Sequence, residues 1–215
     1  MNVKLLMNLF RKIDAKLNIN SYRFARLSYL NLVDYAHIIH RIVDKYRLIA
    51  FATNSKNSPI KLHLGCGEQR KLDRINIDWR KTVATDFVQD INALPLKEQS
   101  VVSIESYHVV EHLSETDAIR TFENWYKILK LNGQLVIECP DFDETVREYL
   151  NGNAKRIYDV YGKRRFPGDG HLFGYNFERL KNALTAVGFS EIRNCDPQDY
   201  HKNEQPCLRV EAVKK

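Results

Sequence analysis

The sequence predicts an α/β chain, a doubly wound and mostly parallel sheet with a helical extension ahead of it. Three observations predict it. From residue 60 onward, short apolar runs alternate with capped helical stretches. The first three runs are followed by Gly-x-Gly, an acid and an acid. Residues 1–56 stand apart as a basic, amphipathic stretch.

In that stretch Val3, Leu6, Leu9 or Phe10, Ile13 and Leu17 recur at helical spacing, with Lys4, Arg11, Lys12 and Lys16 between them. A second helix is predicted from about 21 to 50, carrying Phe24, Leu27, Leu30, Tyr35, Ile38 and Ile42. The polar run Thr53 to Pro59 reads as a linker, so a boundary is set between an extension at 1–56 and a domain at 57–215. Strands follow at Ile60–Leu64, Ile75–Trp79, Thr85–Val88 and Val101–Ser106. Ser114 with Asp117 caps a helix running to about Leu131, where Asn132-Gly133 stops it. Gln134–Cys139 is a fifth strand, and Asp141 with Glu144 starts a helix to about Leu150. Residues 151–175 read as irregular. Asn176–Val187 is a helix ended by Gly188, and Ser190–Asn194 and Leu208–Val213 are the last strands.

Composition removes several classes. Of the 215 residues 44% are hydrophobic and 28% charged, which suits a globular chain and neither a disordered nor a collagen-like one. Four cysteines with no CxxC pair argue against a zinc ribbon or a disulfide scaffold and suit a reducing cytoplasm. No apolar run approaches the ~20 residues of a membrane span. Arg11 and Lys12 follow the apolar start at once, so no secretory signal is expected.

The net charge of +6 is unevenly placed: residues 1–56 hold ten basic and three acidic side chains, which leaves 57–215 slightly acidic. Such an extension packs on the main domain or on a second copy of the chain as a homodimer, or lies on an anionic membrane at its inner face. A nucleic-acid arm is not expected, since no nucleic-acid-reading motif accompanies the charge.

Ligands of open α/β sheets bind beyond the carboxyl ends of the strands. Gly65-x-Gly67 there permits a sharp turn and close approach of a ligand. Asp78 can accept both hydroxyls of a ribose. Asp90 is placed to meet an adenine amino group, or to cap its loop. The dinucleotide fingerprint is incomplete: Arg70 stands at its third glycine, and Asp78 follows Gly65 by 13 residues instead of ~20. The phosphate-binding helix is therefore expected to be short or absent. A ligand with adenine, ribose and an amino acid but no pyrophosphate fits better, and S-adenosylmethionine is such a ligand.

These residues resemble a known family. KLHLGCGEQRKLDRINIDW is similar to the first two motifs of class I S-adenosylmethionine-dependent methyltransferases, and DFVQDINALPLKEQSVVSIESYHVVEHL to the third and fourth. ILKLNGQLVIECPDFD resembles their "LKPGG" turn and fifth strand, with Asn132 for the proline and Gln134 for the second glycine. HLFGYNFERLKNALTAVGFSEI resembles their last helix and "aGF" turn. Within the class, the GCG…INxDW…SxHVxEHL pattern resembles small methyltransferases of bacterial surface-polysaccharide clusters. The resemblance implies a Rossmann-like sheet of seven strands with the last antiparallel. It implies that Gly65, Cys66 and Gly67 pass under the methionine part of the cofactor, that Asp78 holds the ribose and Trp79 lies beside the adenine. Asp90 and Ile91 would frame the adenine edge, and Tyr107 and His108 would sit near the sulfonium. The acceptor it implies is a sugar hydroxyl of a surface glycan or of its lipid-linked precursor.

A hydroxyl acceptor calls for a base. His108 is favoured, then His171, with Asp141, Glu111 and His112 also in range. Asp141 can equally cap its helix. His108-Val-Val-Glu111-His112 also matches the H-x-x-E-H zinc-hydrolase pattern. That pattern needs both histidines on one helix face and a third ligand. Here it follows a strand directly and precedes the cap at Ser114, so no metal is expected. Tyr158, Tyr161, Lys163, Arg164, Arg165 and Phe166 form an acceptor lid or a solvated loop. Two other readings remain: a non-catalytic Rossmann-like module that binds a membrane, a nucleic acid or a protein through its basic arm, and an NAD-type oxidoreductase, which Arg70 disfavours.

Overall fold

The computed structural model describes residues 39–55 and 58–215. Among the described residues, Arg41–Lys215 forms one compact unit. The helix expected at 3–17 and the start of the one expected at 21–50 lie outside the described residues. The second helix is seen from residue 39 to 54 (α1). Among the described residues, no helix is long and apolar enough to cross a membrane.

Seven strands follow: β1 (Ile60–Leu64), β2 (Ile75–Asp78), β3 (Phe87–Val88), β4 (Val101–Tyr107), β5 (Leu129–Pro140), β6 (Phe189–Cys195) and β7 (Cys207–Lys214). They form one sheet in the order β3-β2-β1-β4-β5-β7-β6. The pairs from β3 to β5 are parallel, and β7 runs antiparallel to both β5 and β6. The strand order turns back between β1 and β4, the switch point where such sheets open a ligand crevice.

The helices are α2 (Glu115–Ile128), α3 (Phe142–Leu150), α4 (Ile157–Tyr161) and α5 (Phe177–Val187). The caps read from the sequence form. Ser114 Oγ accepts Asp117 N at 3.1 Å, and Asp141 Oδ1 accepts Glu144 N at 3.2 Å. Phe122 and Trp125 of α2 and Leu180 and Leu184 of α5 are fully buried in one cluster with Leu62, Ile104 and Ile137 of the sheet. Each such side chain contributes roughly 1.5–3 kcal/mol by leaving water.

The other set of alternating strand positions is polar. His63, Asn76 and Glu105 are lateral neighbours in the register. His63 Nδ1 donates to Asn76 Oδ1 at 3.0 Å, and Lys71 Nζ bridges Glu105 Oε2 at 2.6 Å and Tyr107 OH at 2.9 Å. As the incomplete fingerprint predicts, residues 65–74 form turns and no helix. Lys71 and Arg74 of that segment reach the polar strand positions.

Two expectations need correction. Helix α2 stops at Ile128, not near Leu131, because Leu129 is already extended and pairs with Val101 of β4. Asn132-Gly133, with Asn132 at φ +60°, therefore lies inside β5, where the pairing with β4 shifts register, and is not a helix stop. Residues 151–175 also contain helical structure, a 3-10 turn at Ala154–Arg156 running into α4.

Candidate active site

The crevice begins where β1 and β2 end. Gly65 takes φ +69°, and a Cβ on it would stand 2.1 Å from Val109 Cγ2, so only glycine lets the loop after β1 pass the turn after β4. Gly67 takes φ +51°, and a Cβ there would meet nothing within 4 Å, so its backbone faces open space. Gly67 N donates to Asp78 Oδ2 and Arg80 N donates to Asp78 Oδ1, each at 2.8 Å. Asp78 is buried, so this carboxylate fixes both loops at the crevice floor. The Cys66 thiol is pushed up to about 11 by burial and by the nearby charge of Asp78, so it is not a thiolate nucleophile at neutral pH.

Trp79 is half exposed beside this floor. The Arg80 guanidinium lies 3.9 Å from the Phe166 ring centre, and Gly168 packs toward the Trp79 indole. The loop with the mixed aromatic and basic residues thus reaches the end of β2. Asp169, buried, holds it by accepting Arg165 N at 2.8 Å and pairing with the Arg165 guanidinium.

At the end of β3, Asp90 acts as a loop cap. Its Oδ1 accepts Asn92 N at 3.0 Å, and its Oδ2 pairs with Arg41 of α1 at 3.1 Å. Ile91 is buried, and its carbonyl accepts Trp125 Nε1 at 3.0 Å. Tyr107 turns into the polar network, its hydroxyl donating to Glu105 Oε2 at 2.9 Å, while His108 alone continues into the crevice loop.

His108 takes φ +53°, a conformation rare for a residue with a Cβ. Its N–H donates to Glu138 O at 2.8 Å. Its Nδ1 lies 3.2 Å from Glu111 Oε1, though off the hydrogen-bonding direction, and its Nε2 lies 3.7 Å from Cys207 Sγ. Burial opposes the imidazolium, but Cys207 and the Glu111 carboxylate outweigh it and the ring is pushed up to about 10. Such a histidine holds its proton at neutral pH.

Glu111 is 2% exposed and neither carboxylate oxygen has a hydrogen-bond donor. Burial favours its neutral acid, yet His108, His112 and His171 hold it below the usual carboxylate range. The Glu111 carbonyl accepts Leu172 N at 2.7 Å and Phe173 N at 3.2 Å, which brings His171 alongside. His171 therefore joins Glu111 and His112, while Asp141 remains the cap of α3.

The sequence reading missed a third contributor. Between β6 and β7, the Gln198 and Asp199 N–H groups both donate to the buried Glu138 carboxylate at 2.9 Å, and Arg209 pairs with it at 2.6 Å. That anchor lays the His201 ring on His108 with centres 4.0 Å apart, and Tyr200 on His201 at 3.9 Å. Gln205 Nε2 comes within 3.3 Å of His108 Nδ1. Only the antiparallel pairing of β7 with β5 brings these residues there, and no local pattern announces it.

Residues 62–137 match the family model described as "Methyltransferase domain". No curated protein matches the sequence. The fold is similar to a SAM-dependent methyltransferase of Archaeoglobus fulgidus, with a TM-score of 0.53 and 14% identity over 91% of this chain and all of that one. It is similar to a SAM-dependent methyltransferase of Thermotoga maritima, with a TM-score of 0.50 and 16% identity over 91% of this chain and all of that one. A third, from Methanosarcina mazei, gives a TM-score of 0.50 and 13% identity over 76% of this chain and 96% of that one. At such identities the structures speak for the fold, and the family match speaks for a methyltransferase domain. That match runs from β1 into β5, so this part of the chain is a methyltransferase domain, of a family that uses S-adenosylmethionine.

Proposed function

We propose that the chain transfers the methyl group to a sugar hydroxyl of a surface glycan or of its lipid-linked precursor. The observation that supports the cofactor pose is the Gly67–Asp78 contact under open space at the joined ends of β1 and β2. The cofactor, when bound, supplies an activated methyl on a sulfonium. In this reading Gly65, Cys66 and Gly67 run beneath its methionine part, and Asp78 holds the ribose with the lone pairs left by Gly67 and Arg80. Trp79 lies beside the adenine, and Asp90 and Ile91 shape its edge through the capped turn and not through a free carboxylate. Tyr107 braces the strand end from the polar network.

Glu111 and His171 stand where an acceptor hydroxyl would lose its proton, while His108, which holds its own proton at neutral pH, orients the acceptor as a donor and is not the base. Orientation at the strand ends and exclusion of water supply the rest of the rate. The mixed loop around Phe166 covers the acceptor. Residues 1–56 place the domain on an anionic membrane surface at its cytoplasmic face, where a lipid-linked acceptor resides.

The test is in two stages. Calorimetric titration with S-adenosylhomocysteine should show saturable binding, weakened by Asp78→Asn. Labelled S-adenosylmethionine should then pass its methyl to lipid-linked saccharides. Label that enters amine acceptors and no saccharide overturns the acceptor assignment. Removal of 1–40, which keeps Asp44 and Leu48, should abolish sedimentation with anionic liposomes, and unchanged sedimentation refutes the membrane role.

A further inference from the structure

Glu111, His112 and His171 do something that methyl-group binding does not require. Each offers a ligand atom, and the three atoms lie within 4.8 Å of one another. The two histidines are held in matching ways. His112 Nδ1 lies 3.1 Å from Gly170 O, and His171 Nδ1 lies 2.7 Å from Asp159 O. A carbonyl only accepts, so both rings carry their hydrogen on Nδ1. Each Nε2 is left with a lone pair. A ring N–H fixed on a backbone carbonyl is the usual outer support of a metal-ligating histidine.

The carboxylate supplies the second observation. Both Glu111 oxygens are buried without a hydrogen-bond donor, and the charged His108 ring 3.2 Å away faces only Oε1, so Oε2 is left for a second cation. A small pocket of about 10 Å³ lies against Glu111 and His171, though His112 does not line it. Thr145 lines it as well, and its hydroxyl also lacks a partner. The space accommodates a single water or a bare ion.

The H-x-x-E-H pattern was set aside because it lacks the helix that would align both of its histidines. The structure makes a different selection from it. Val110–His112 is one 3-10 turn, which presents Glu111 and His112 together, and the third ligand comes from the loop that the Glu111 carbonyl pins. His108, the other histidine of the pattern, contacts Glu111 from the opposite side.

We infer that Glu111, His112 and His171 form a binding site for a divalent first-row transition metal, with zinc the best match to two imidazoles and a carboxylate. Bonds to such ions run about 2.0–2.2 Å, so the ligand atoms close to roughly 3.4 Å of one another around it. Three protein ligands leave a position open to water or to a hydroxyl, whose pKa the ion lowers. That last use rests on the methyl-transfer reading, whereas the site itself does not.

The test uses the full chain after chelator treatment. Titration with Zn²⁺ alone should give one ion per chain. Co²⁺ alone should give visible d–d bands of a low-symmetry site, displaced by Zn²⁺. Glu111→Gln and His171→Ala should each weaken Zn²⁺ binding at least tenfold. S-adenosylhomocysteine titration of the same samples reports the fold and the cofactor site separately. Wild type that binds S-adenosylhomocysteine but takes up no stoichiometric Zn²⁺ or Co²⁺ overturns the metal site and leaves the methyltransferase reading intact. Zn²⁺ binding that neither substitution alters overturns it too, and places the ion elsewhere, with Asp199 and His201 as the next donors. Stoichiometric Zn²⁺ without S-adenosylhomocysteine binding upholds the metal site and counts against the cofactor pose.

Discussion

Gly67 donates its backbone N–H to Asp78 Oδ2 across 2.8 Å, which ties the loop after β1 to the end of β2. The same carboxylate takes Arg80 N on its other oxygen, so one buried charge organises both walls of the crevice floor. Asp78→Asn keeps the shape but replaces one accepting oxygen with an amide N–H that faces a backbone donor. Losing a hydrogen bond to a charged group costs about 1.5–3 kcal/mol. Affinity for S-adenosylhomocysteine should therefore fall by roughly 10- to 150-fold, read by calorimetry. A variant that binds as wild type would show that the ribose is held elsewhere.

Gly65 makes a sharper demand. Its φ of +69° disfavours any Cβ, and the added atom would fall 2.1 Å from Val109 Cγ2. The backbone penalty for alanine is about 1–2 kcal/mol, and the overlap adds roughly 1–3 kcal/mol more. Gly65→Ala should lower the denaturation midpoint accordingly. Combining it with Val109→Ala should recover the steric part and leave the backbone part. Full recovery in the double variant would mean that φ carries no cost there.

Much of this was legible in the sequence because it is local. Strand ends, the caps at Ser114 and Asp141, and the missing helix after Gly67 are each written within a few residues. The end of α2 was misread because Asn132-Gly133 has the chemistry of a helix stop. Pairing of Leu129 with Val101 takes the chain into β5 first, and that partner lies far off in sequence. The same limit hid His201, Gln205 and Cys207, which reach His108 through β7. Asp90 illustrates a different limit. Its position at a strand end was read correctly, but its carboxylate is taken by Asn92 and Arg41, and Arg41 belongs to a helix that the linker seemed to set apart.

His63 predicts an acid-side loss of stability. Burial holds its pKa below the usual imidazole range. Asn76 and Glu105 favour the charged ring, while Lys71 and Arg74 oppose it. The folded state thus takes up its proton at lower pH than the unfolded chain does. The stability tied to a neutral His63 is present above about pH 6.5 and is lost as pH falls from there through the folded value. Relative to His63→Gln, the wild type should lose stability steadily as pH drops below about 6.5, measured by urea unfolding at several pH values. A difference that does not change with pH would mean that His63 does not titrate differently on folding.

Helix α1 makes the last prediction. Asp44 and Leu48 are its buried positions, one turn apart, and Ala52 packs partly buried against the core one turn further on. Asp44 Oδ2 accepts Val88 N at 2.8 Å, capping the free edge of the two-residue strand β3. Leu48 is fully buried in the same cluster as Phe87. The helix therefore supplies what so short a strand lacks, an acceptor for its backbone and an apolar cover. Leu48→Ala should cost about 2–5 kcal/mol, and Asp44→Ala about 1–3 kcal/mol by stranding the Val88 N–H. Asp44→Asn keeps an acceptor oxygen and should cost less than the alanine variant. Hydrogen exchange at Val88 distinguishes this from general softening: protection should drop there in Asp44→Ala and persist in Asp44→Asn. Equal loss in both would assign the effect to the charge of Asp44, which also pairs with Arg47, and not to its hydrogen bond.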